Sequence, residues 1–416
     1  MIARGSGCVV RTHGETVLAA LPGARIGDGV LIRSATATLR GEVAALERSR
    51  VSIVPFGAVA GVAVGDRVEI APDALFFPVG FAALGRALDA AGEALDTRPP
   101  LRALRVRIER GAAPAPVERE PISAPLWTGV RAIDGLLTLG RGARIGLFGA
   151  PGAGKTTLLE SIAAAARADA VVIALIGERG REAQTWCGRL DRRTTIVCAT
   201  SDRSAAERVR AAGAAMAQAE HLRAAGLHVV MILDSLARYA GALREQRVAL
   251  GEHVGRGGYP PAVWSALARY LERAGNGTHG SITLFATVLS DGADEREPVS
   301  DAARSLLDGH VALSNALAGA GHFPAIDVLA STSRTMLSVV SNDHARDARA
   351  VRAALALLAQ TADARAVGLA NEGFALRAAI AAEPAFEAFL RQTEPCAPEY
   401  TLRSLQSLAS LLEPRP

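Results

Sequence analysis

The sequence predicts an α/β protein in which a parallel sheet is preceded by a small β-barrel and followed by a helical region. Three observations predict this fold class. Short alternating apolar runs occupy residues 8–71, Val-, Ile- and Leu-rich runs alternate with helical stretches over residues 122–341, and alanine, leucine and arginine at helical spacing follow residue 343. A chain of 416 residues is long enough for two or three cores. We expect domains over residues 1–76, 77–342 and 343–416.

The N-terminal segment predicts the barrel because its brief strands are separated by Gly-Asp and Pro-Gly turns. The apolar runs are Val9-Val10, Val17–Ala19, Gly29–Ile32 and Val51–Val54. Phe56 is the only aromatic residue between Cys8 and Ala71, and its apolar context is typical of a core. The next stretch, Phe81–Leu88, predicts a helix that leads toward a proline-bearing connector at residues 112–116.

The central segment predicts parallel strands covered on both faces, since short β-branched runs bounded by helices are typical of doubly buried strands. The runs are Arg144–Phe148, Val171–Ile176, Thr195–Ala199, Val229–Leu233, Ile282–Val288 and Ile326–Leu329. Beyond Asp343 the strand pattern ends. Helical spacing takes over from Ala348 to Ala375 and again from Glu383 to Leu390.

Composition excludes several classes of function. The net charge is +4, from 46 basic and 42 acidic residues, and no run of like charge resembles a nucleic-acid-binding arm. Four scattered cysteines form no C-x-x-C pair and predict reduced thiols. The first residues lack the apolar stretch of a signal peptide, and no apolar run reaches the ~18 residues of a membrane-spanning helix.

Lys155 is the only lysine in the chain, and it closes the run Gly149-Ala150-Pro151-Gly152-Ala153-Gly154-Lys155-Thr156. This run fits the phosphate-binding pattern G-x-x-x-x-G-K-[ST]. Such a loop folds backbone N–H groups around phosphates and leaves room for a slim ammonium but not for a guanidinium. We expect the three glycines to supply positive-φ freedom, and the helix that continues through Thr157 to place its N-terminus at the phosphates. The chain is predicted to bind a nucleoside triphosphate.

A carboxylate ends one of the predicted strands, because the apolar run Val229–Leu233 leads directly into Asp234. An aspartate at the carboxyl edge of a parallel sheet can hold a Mg²⁺-bound water. An aspartate at a strand end can also cap the helix that follows. Asp234 and the Thr156 hydroxyl are therefore the candidate metal ligands, with Mg²⁺ carried by the nucleotide.

Glu178 follows another predicted strand, within the run Gly177-Glu178-Arg179-Gly180-Arg181-Glu182. A glutamate directly after a buried strand can reach over the γ-phosphate and polarise the attacking water. A glutamate at a helix N-terminus can instead interact with the helix dipole. Spacing alone leaves these two interpretations of Glu178 even.

Arg334 comes after the last predicted strand, behind Ser331-Thr332-Ser333. An arginine at such a place is ordinarily a surface residue. In a ring of identical subunits it could point into the neighbour's site and stabilise charge on the transferred phosphoryl group, an effect of about 10³ to 10⁵ in rate.

These motifs and several further stretches resemble the type III secretion ATPases, flagellar and virulence-associated, which are relatives of the catalytic subunit of F-type ATP synthase. The resemblance extends over residues 7–392. The stretches that carry it are Trp127–Thr138, Ile176–Glu182, Asp234–Tyr239, Gly258–Pro261, Glu297-Pro298, Leu307–His310 and Phe323–Ser331.

The resemblance implies a RecA-like P-loop NTPase core in a homohexamer that hydrolyses ATP with Mg²⁺ at sites between neighbouring subunits. It also implies roles for individual residues. Lys155 and Thr156 would hold phosphates and Mg²⁺, and Asp234 would support the metal. Glu178 would orient or deprotonate the attacking water, and Glu182 would act from outside the layer of residues that touch the nucleotide. Arg179 and Arg238 would line the phosphate pocket, and Arg334 would be the arginine finger from the adjacent protomer.

Partners and a location are implied as well. The chain would be the motor that dissociates chaperones from export substrates and unfolds them. Its partners would be stator and central-stalk proteins of the export apparatus and chaperone–substrate complexes, with no nucleic acid. It would be cytoplasmic and peripheral at the cytoplasmic face of the inner membrane, where only its partners associate with the membrane.

The chain departs from the family pattern at three places. Gly251–Gly257 replaces a stretch that is usually richer in proline and arginine and that belongs to a pore-facing loop. Few residues precede the barrel, where the family often carries a stator-binding extension, so reduced or different stator binding is expected. The segment at His344-Ala345, expected beside the adenine pocket, lacks the tyrosine of the synthases, so the base-stacking residue stays unnamed.

Three alternatives stay open from the sequence. A rotary F- or V-type ATPase subunit would carry an acidic stalk-contacting loop, and the terminal helical region shows none. An RNA-dependent translocase resembling the terminator Rho would need exposed barrel aromatics on which bases stack. A nucleotide-holding subunit without activity would lack a carboxylate at Glu178. The sequence does not separate flagellar from virulence systems, or identify the cargo or the trigger for hydrolysis.

Overall fold

A computed structural model describes residues 5–47, 49–108, 113–289, 297–367 and 373–413. Its strands are β1 Ser6–His13, β2 Thr16–Ala20, β3 Gly29–Arg33, β4 Thr38–Glu47, β5 Arg50–Pro55, β6 Arg67–Ile70, β7 Phe76–Val79, β8 Arg86–Asp89, β9 Leu104–Arg107, β10 Pro125–Leu126, β11 Leu139–Gly140, β12 Arg144–Gly149, β13 Ala170–Ile176, β14 Thr194–Ala199, β15 His228–Asp234, β16 Gly275–Asn276, β17 Ser281–Leu289, β18 Gly309–Leu313 and β19 Ile326–Ser333.

The helices in the same ranges are α1 Arg131–Leu136, α2 Lys155–Ala165, α3 Gly180–Gly188, α4 Ala205–Ala224, α5 Leu236–Ala249, α6 Pro261–Glu272, α7 Pro298–Leu306, α8 Asn315–Gly319, α9 Met336–Val339, α10 Asn342–Ala366, α11 Phe374–Leu390 and α12 Pro398–Ser410. The chain divides into two compact units. The first unit is Met1–Ala115 with Ala170–Ala274, and the second is Pro116–Asp169 with Gly275–Pro416. The domain boundaries expected at 76/77 and 342/343 stay predictions.

In the first unit, β1 to β6 form a closed barrel in the order β1-β2-β5-β4-β3-β6, and β1 pairs with β6 to close it. Successive side chains of a strand point to opposite faces, so every second residue fills the interior. That interior holds Val9, Val17, Val30, Ile32 and Ile53, each of which is at most 1% exposed. The predicted N-terminal barrel is confirmed.

Phe56, which directly follows β5, is half-buried rather than a core residue as expected. The guanidinium carbon of Arg210, on α4, lies 4.5 Å from the centre of its ring. A cation over an aromatic face is attracted by the ring quadrupole. Arg210 also donates to the carbonyls of Phe76 and Ala90, so one buried arginine joins α4, the barrel and the chain that follows it.

The first unit also contains parallel strands paired in the order β15-β13-β14-β8. Every residue of β13, β14 and β15 is buried. This is the pattern expected of strands covered on both faces, and it confirms the strands predicted from the apolar runs at Val171, Thr195 and Val229.

The helix expected over Phe81–Leu88 is wrong. Phe81–Ala83 forms a single 3₁₀ turn, and Arg86–Asp89 is β8, which pairs with β14. Gly85 has a φ of 73°, which interrupts a helix, and the Arg86 guanidinium is paired with Asp96 at 2.7 Å. Alanine-rich composition favours a helix only weakly, and the tertiary pairing of this segment overrides that preference.

In the second unit the sheet strands are paired in the order β19-β18-β12-β17. Strand β12 is parallel to β17 and β18, whereas β19 is antiparallel to β18 and β16 is antiparallel to β17. The expectation of a wholly parallel sheet is therefore wrong at β16 and β19. The link from β18 to β19 contains only the five-residue α8, which is shorter than the usual crossover between parallel strands.

The terminal helices α10, α11 and α12 pack on one another and on α1. Phe386, Phe389 and Leu405 are among the residues buried in these helices. The predicted helical region after Asp343 is confirmed, although α10 ends at Ala366, and residues 368–372 of the expected run lie outside the described residues. Helix α12 was not predicted. Pro398 occupies its first turn, where a missing N–H costs nothing.

A buried ion pair in the first unit gives a test of its packing. Arg273, just after α6, makes two 2.7 Å hydrogen bonds to the Glu220 carboxylate on α4. We expect Arg273→Met to lower the free energy of unfolding by about 3 kcal/mol, because the Glu220 charge would be left buried without its partner. Urea titration followed by circular dichroism measures this change. Glu220→Met combined with Arg273→Met should recover part of the loss, and a double variant no more stable than Arg273→Met would contradict the account.

Candidate active site

The glycine loop joins β12 to α2 in the second unit, as predicted from strand, loop and helix order. Gly152 and Gly154 have φ values of 84° and 89°, a region that favours glycine. Gly149 does not lie in that region, so the expectation that all three glycines supply positive φ is wrong for Gly149. A side chain at Gly149 would place its Cβ 3.0 Å from the Cβ of Leu313, and close packing therefore explains this glycine.

Lys155 begins α2, and its Nζ donates to the carbonyl oxygens of Gly149 at 2.5 Å and Ala150 at 2.8 Å. The ammonium is thus held against the loop by the loop's own backbone. Thr156 and Thr157 are exposed in the first turn of α2, whose leading N–H groups have no partner within the helix. Hydroxyl and N–H groups at a helix N-terminus fit a phosphate and its Mg²⁺.

Glu178 lies two residues beyond the end of β13, after Gly177, in the first unit, and its side chain is only 7% exposed. The Arg238 guanidinium forms an ion pair with the Glu178 carboxylate and donates to the Gly177 carbonyl oxygen at 2.8 Å. Arg238 comes from the first turn of α5. Two of the predicted catalytic residues, Glu178 and Arg238, are therefore in direct contact.

Burial raises the pKa of Glu178 to about 8, helped by a hydrogen bond with Glu182 and by the negative charge of Asp234, while Arg238 acts to lower the pKa. The same hydrogen bond lowers the pKa of Glu182. A carboxyl group whose pKa lies near neutral pH can populate both forms there, and its ionised form is more basic than an ordinary carboxylate. Asp234 is close enough for its charge to act on Glu178.

Asp234 ends β15 and is 8% exposed, and the peptide bond between Asp234 and Ser235 is cis. The cap of the following helix α5 is the Ser235 hydroxyl, which accepts from the N–H of Arg238 at 3.2 Å. The capping role that the sequence allowed for Asp234 belongs to its neighbour. The role of Asp234 at a metal stays a prediction.

The N-terminus of helix α3 shows which glutamate can interact with the helix dipole, Glu178 or Glu182. Arg179 takes its N-cap position and is exposed, and Glu182 lies in its first turn. Glu182 is therefore the residue placed to interact with the helix dipole, whereas Glu178 precedes the cap.

Arg334, in the second unit, is exposed just beyond β19, and its backbone N–H donates to the Asp308 carbonyl oxygen at 3.0 Å.

A cavity of about 260 Å³ opens beside the start of α2 in the second unit. Its lining comes from four stretches of sequence, within residues 128–130, 154–161, 313–325 and 392–395. The lining residues are Thr128, Gly129, Val130, Gly154, Thr157, Leu158, Ser161, Leu313, Phe323, Pro324, Ala325, Gln392, Thr393, Glu394 and Pro395. Phe323 is the only aromatic side chain in this lining and is 50% exposed. It is the residue available to stack on a planar ring.

The segment at His344-Ala345, which was expected beside the adenine pocket, does not line this cavity. His344 is 8% exposed, and its Nε2 lies 2.8 Å from the Gly135 carbonyl oxygen, so it is a buried structural residue at α1 and not part of the cavity. Phe323 belongs to the stretch Phe323–Ser331 that carried the family resemblance. An aromatic residue in that stretch was the available signal, but only the folded chain brings Phe323 to Gly154.

Comparisons with known proteins agree with this geometry. Residues 129–333 match the ATP synthase alpha/beta family, nucleotide-binding domain. The chain is 42% identical over 397 residues to the type 3 secretion system ATPase of Sinorhizobium fredii, covering 93% of this chain and 88% of that protein. It is 43% identical over 360 residues to the flagellum-specific ATP synthase of Pseudomonas aeruginosa, covering 84% and 80%.

Solved structures of secretion ATPases also match this chain. The assembled ATPase EscN of the enteropathogenic E. coli type III secretion system matches with a TM-score of 0.91 and 37% identity, over 97% of this chain and 100% of that chain. EscN in complex with its central stalk EscO matches over the same shares with a TM-score of 0.89 and 37% identity.

The chain belongs to the family of type III secretion and flagellum-specific ATPases. It is a P-loop ATPase coupled to protein export, and the RecA-like core with an N-terminal barrel and a terminal helical region is confirmed. In the described ranges, no helix is both long and apolar enough to cross a membrane.

The raised pKa of Glu178 predicts a pH-dependent stability. A carboxyl group whose pKa rises on folding contributes stability that is complete below its ordinary value of 4.5 and is lost as pH rises through about 8. Glu178→Gln should therefore gain thermal stability relative to the unchanged chain as pH increases through this window. Melting temperatures of the nucleotide-free proteins across the window measure the gain. Glu15→Gln, at an exposed carboxylate, is the control, and a constant difference for Glu178→Gln would contradict the prediction.

Proposed function

We propose that this ATPase is the motor of a type III export system, where ATP hydrolysis detaches chaperones from export substrates and unfolds those substrates. The observation that carries the proposal is Glu178. It is a buried carboxylate with a raised pKa, just beyond the end of β13 and in contact with Arg238, within a family of secretion ATPases. A subunit that only held nucleotide would have no use for a costly buried carboxylate at this position.

The nucleotide is ATP, and the glycine loop takes its phosphates. Lys155 contributes the compact charge, and the exposed Thr156 hydroxyl and the Asp234 carboxylate supply the oxygen ligands that Mg²⁺ prefers. The phosphate-binding set is Gly149, Ala150, Pro151, Gly152, Ala153, Gly154, Lys155, Thr156 and Thr157. Bound Mg²⁺ would neutralise charge that develops on the phosphates. The adenine base stacks on Phe323 in the cavity beside α2.

Glu178 orients the attacking water and accepts its proton. Its raised pKa makes the ionised carboxylate a stronger proton acceptor than an ordinary one, and Arg238 holds the carboxylate in place. Arg179 and Arg238 line the phosphate pocket, where cations stabilise the charge of the transferred group. Arg334 is exposed and acts in trans, on the site of a neighbouring copy.

The working form is a homohexamer on a central stalk. The relative EscN is described as assembled, and in complex with its central stalk EscO, at 37% identity to this chain. An exposed Arg334 beyond β19 is consistent with a site completed by a second copy. A stator protein and chaperone–substrate complexes are the further partners. The assembly operates in the cytoplasm, at the cytoplasmic face of the inner membrane.

The Glu178→Gln variant tests the proposed chemistry. It should bind ATP normally but hydrolyse it at least ~10²-fold more slowly, because the amide cannot accept a proton from water. Phosphate release and ATP binding measured on the same preparation separate the two effects. Cells carrying the variant should also stop exporting flagellin-type or effector-type substrates, assayed separately. Normal turnover would remove Glu178 from the proposed role, and normal export without hydrolysis would remove the motor function.

Mixed rings test the trans role of Arg334. Arg334→Ala should keep nucleotide affinity and lose turnover by about 10³ or more, the usual effect of an arginine finger. Mixed with Lys155→Ala, it should regain part of its activity, because some sites then combine an intact loop from one copy with an intact Arg334 from another. Native mass spectrometry verifies mixing. An inactive mixture of verified mixed rings would argue against a shared site.

A further inference from the structure

The cavity beside α2 is walled on one side by the segment Gln392–Pro395, which links the terminal helices α11 and α12. This segment belongs to the helical region that follows the nucleotide-binding core, yet it lies against the loop at Thr128–Val130 and against Phe323. Something must hold a short, largely exposed linker in place if it is to shape a binding site. The hydrogen bonds of Gln392 do so.

Both the oxygen and the nitrogen of the Gln392 side-chain amide form hydrogen bonds. Its Oε1 accepts from the N–H of Arg131 at 2.8 Å, and its Nε2 donates at 2.6 Å to the Gly129 carbonyl oxygen and at 2.6 Å to that of Glu394. Its own N–H donates to the Phe323 carbonyl oxygen at 2.8 Å. One half-buried side chain and its backbone therefore connect three of the stretches that line the cavity.

Two neighbouring contacts extend the connection to helix α11. The Arg131 guanidinium donates to the carbonyl oxygens of Ala388, at 3.0 Å, and Arg391, which lie in the last turn of α11 and just after it. The N–H of Cys396 donates to the Gly129 carbonyl oxygen at 2.9 Å. The backbone at Gly129 thus accepts hydrogen bonds from both ends of the linker.

We propose that Gln392 is a positioning residue for nucleotide binding, which holds the linker between α11 and α12 against Gly129 and Phe323 so that the base fits its cavity. The inference rests on the proposed function, in which this cavity takes the adenine base. Gln392 acts through Phe323 and the cavity wall and has no contact with the phosphate loop. Its loss should therefore weaken base binding and leave the chemistry at the phosphates unchanged.

The test compares a ligand that has a base with one that lacks it. We expect Gln392→Ala to raise the Kd for ATP about tenfold, the effect of losing one or two hydrogen bonds that order the site. The Kd for inorganic tripolyphosphate should stay the same, because that ligand does not occupy the base cavity. KM for ATP should rise by a similar factor while kcat stays unchanged. Isothermal titration calorimetry and steady-state kinetics give these four numbers.

A second variant tests the direction of the hydrogen bonds. Gln392→Glu keeps the shape of the side chain and the acceptor for the Arg131 N–H, but its ionised carboxylate faces the carbonyl oxygens of Gly129 and Glu394 with no donor. Its Kd for ATP should be at least as high as that of Gln392→Ala at neutral pH. The ratio to the unchanged chain should fall toward one as pH is lowered, because the protonated acid regains one donor.

Arg365→Gln is the matched control. Arg365 donates to Glu383 on α11 and to the Leu358 carbonyl oxygen on α10, both at 3.1 Å, so its loss disturbs α11 and the neighbouring α10 without touching the cavity. It should leave both Kd values unchanged. An equal rise for ATP and tripolyphosphate in Gln392→Ala, or no rise for ATP in either Gln392 variant, would overturn the inference.

Phe323→Ala separates failure of the inference from failure of the proposed base site. If Phe323→Ala weakens ATP binding and the Gln392 variants do not, the base uses the cavity and Gln392 has no positioning role. If Phe323→Ala also leaves the ATP affinity intact, the cavity does not take the base, and both the base site and the inference are wrong. Thermal melts of each variant identify any loss of folding.

Discussion

The contact between Glu178 and Arg238 is the interaction on which the proposed chemistry of this chain depends. The Glu178 side chain is only 7% exposed, and a carboxylate so buried would be strongly disfavoured in its ionised form without a cation beside it. The guanidinium supplies that cation, yet burial and the nearby carboxylates still raise the pKa of Glu178. The result is a group poised between its two protonation states near neutral pH, which is what proton transfer from water requires.

Local contacts also fix the glycine loop. Lys155 bonds to the carbonyl oxygens of Gly149 and Ala150, so its charge is compensated and its position is set by the loop itself. Gly149 is required by the packing of Leu313, whereas Gly152 and Gly154 are required by backbone conformation. Three glycines that look equivalent in the motif therefore meet two different physical constraints.

The sequence was most informative where structure depends on local pattern. The runs at Val171–Ile176 and Val229–Leu233 became strands because fully buried β-branched segments have few other stable conformations. The prediction of a helix at Phe81–Leu88 was wrong, because pairing with a distant strand overrides alanine's helix preference. The sequence also did not indicate that Phe323 lines the cavity beside α2. No spacing rule brings together Gly154, Phe323 and Gln392, which lie far apart in the sequence.

The base cavity changes how the terminal helices should be understood. A boundary near residue 343 would assign α10 to α12 to a separate domain, yet the linker between α11 and α12 supplies part of the cavity wall. If the cavity takes the base as proposed, the bonds from Gln392 to Gly129 and Phe323 would transmit a displacement of α11 to the wall beside the base. A partner that shifted these helices would then change nucleotide affinity, and by linkage nucleotide binding would change affinity for that partner.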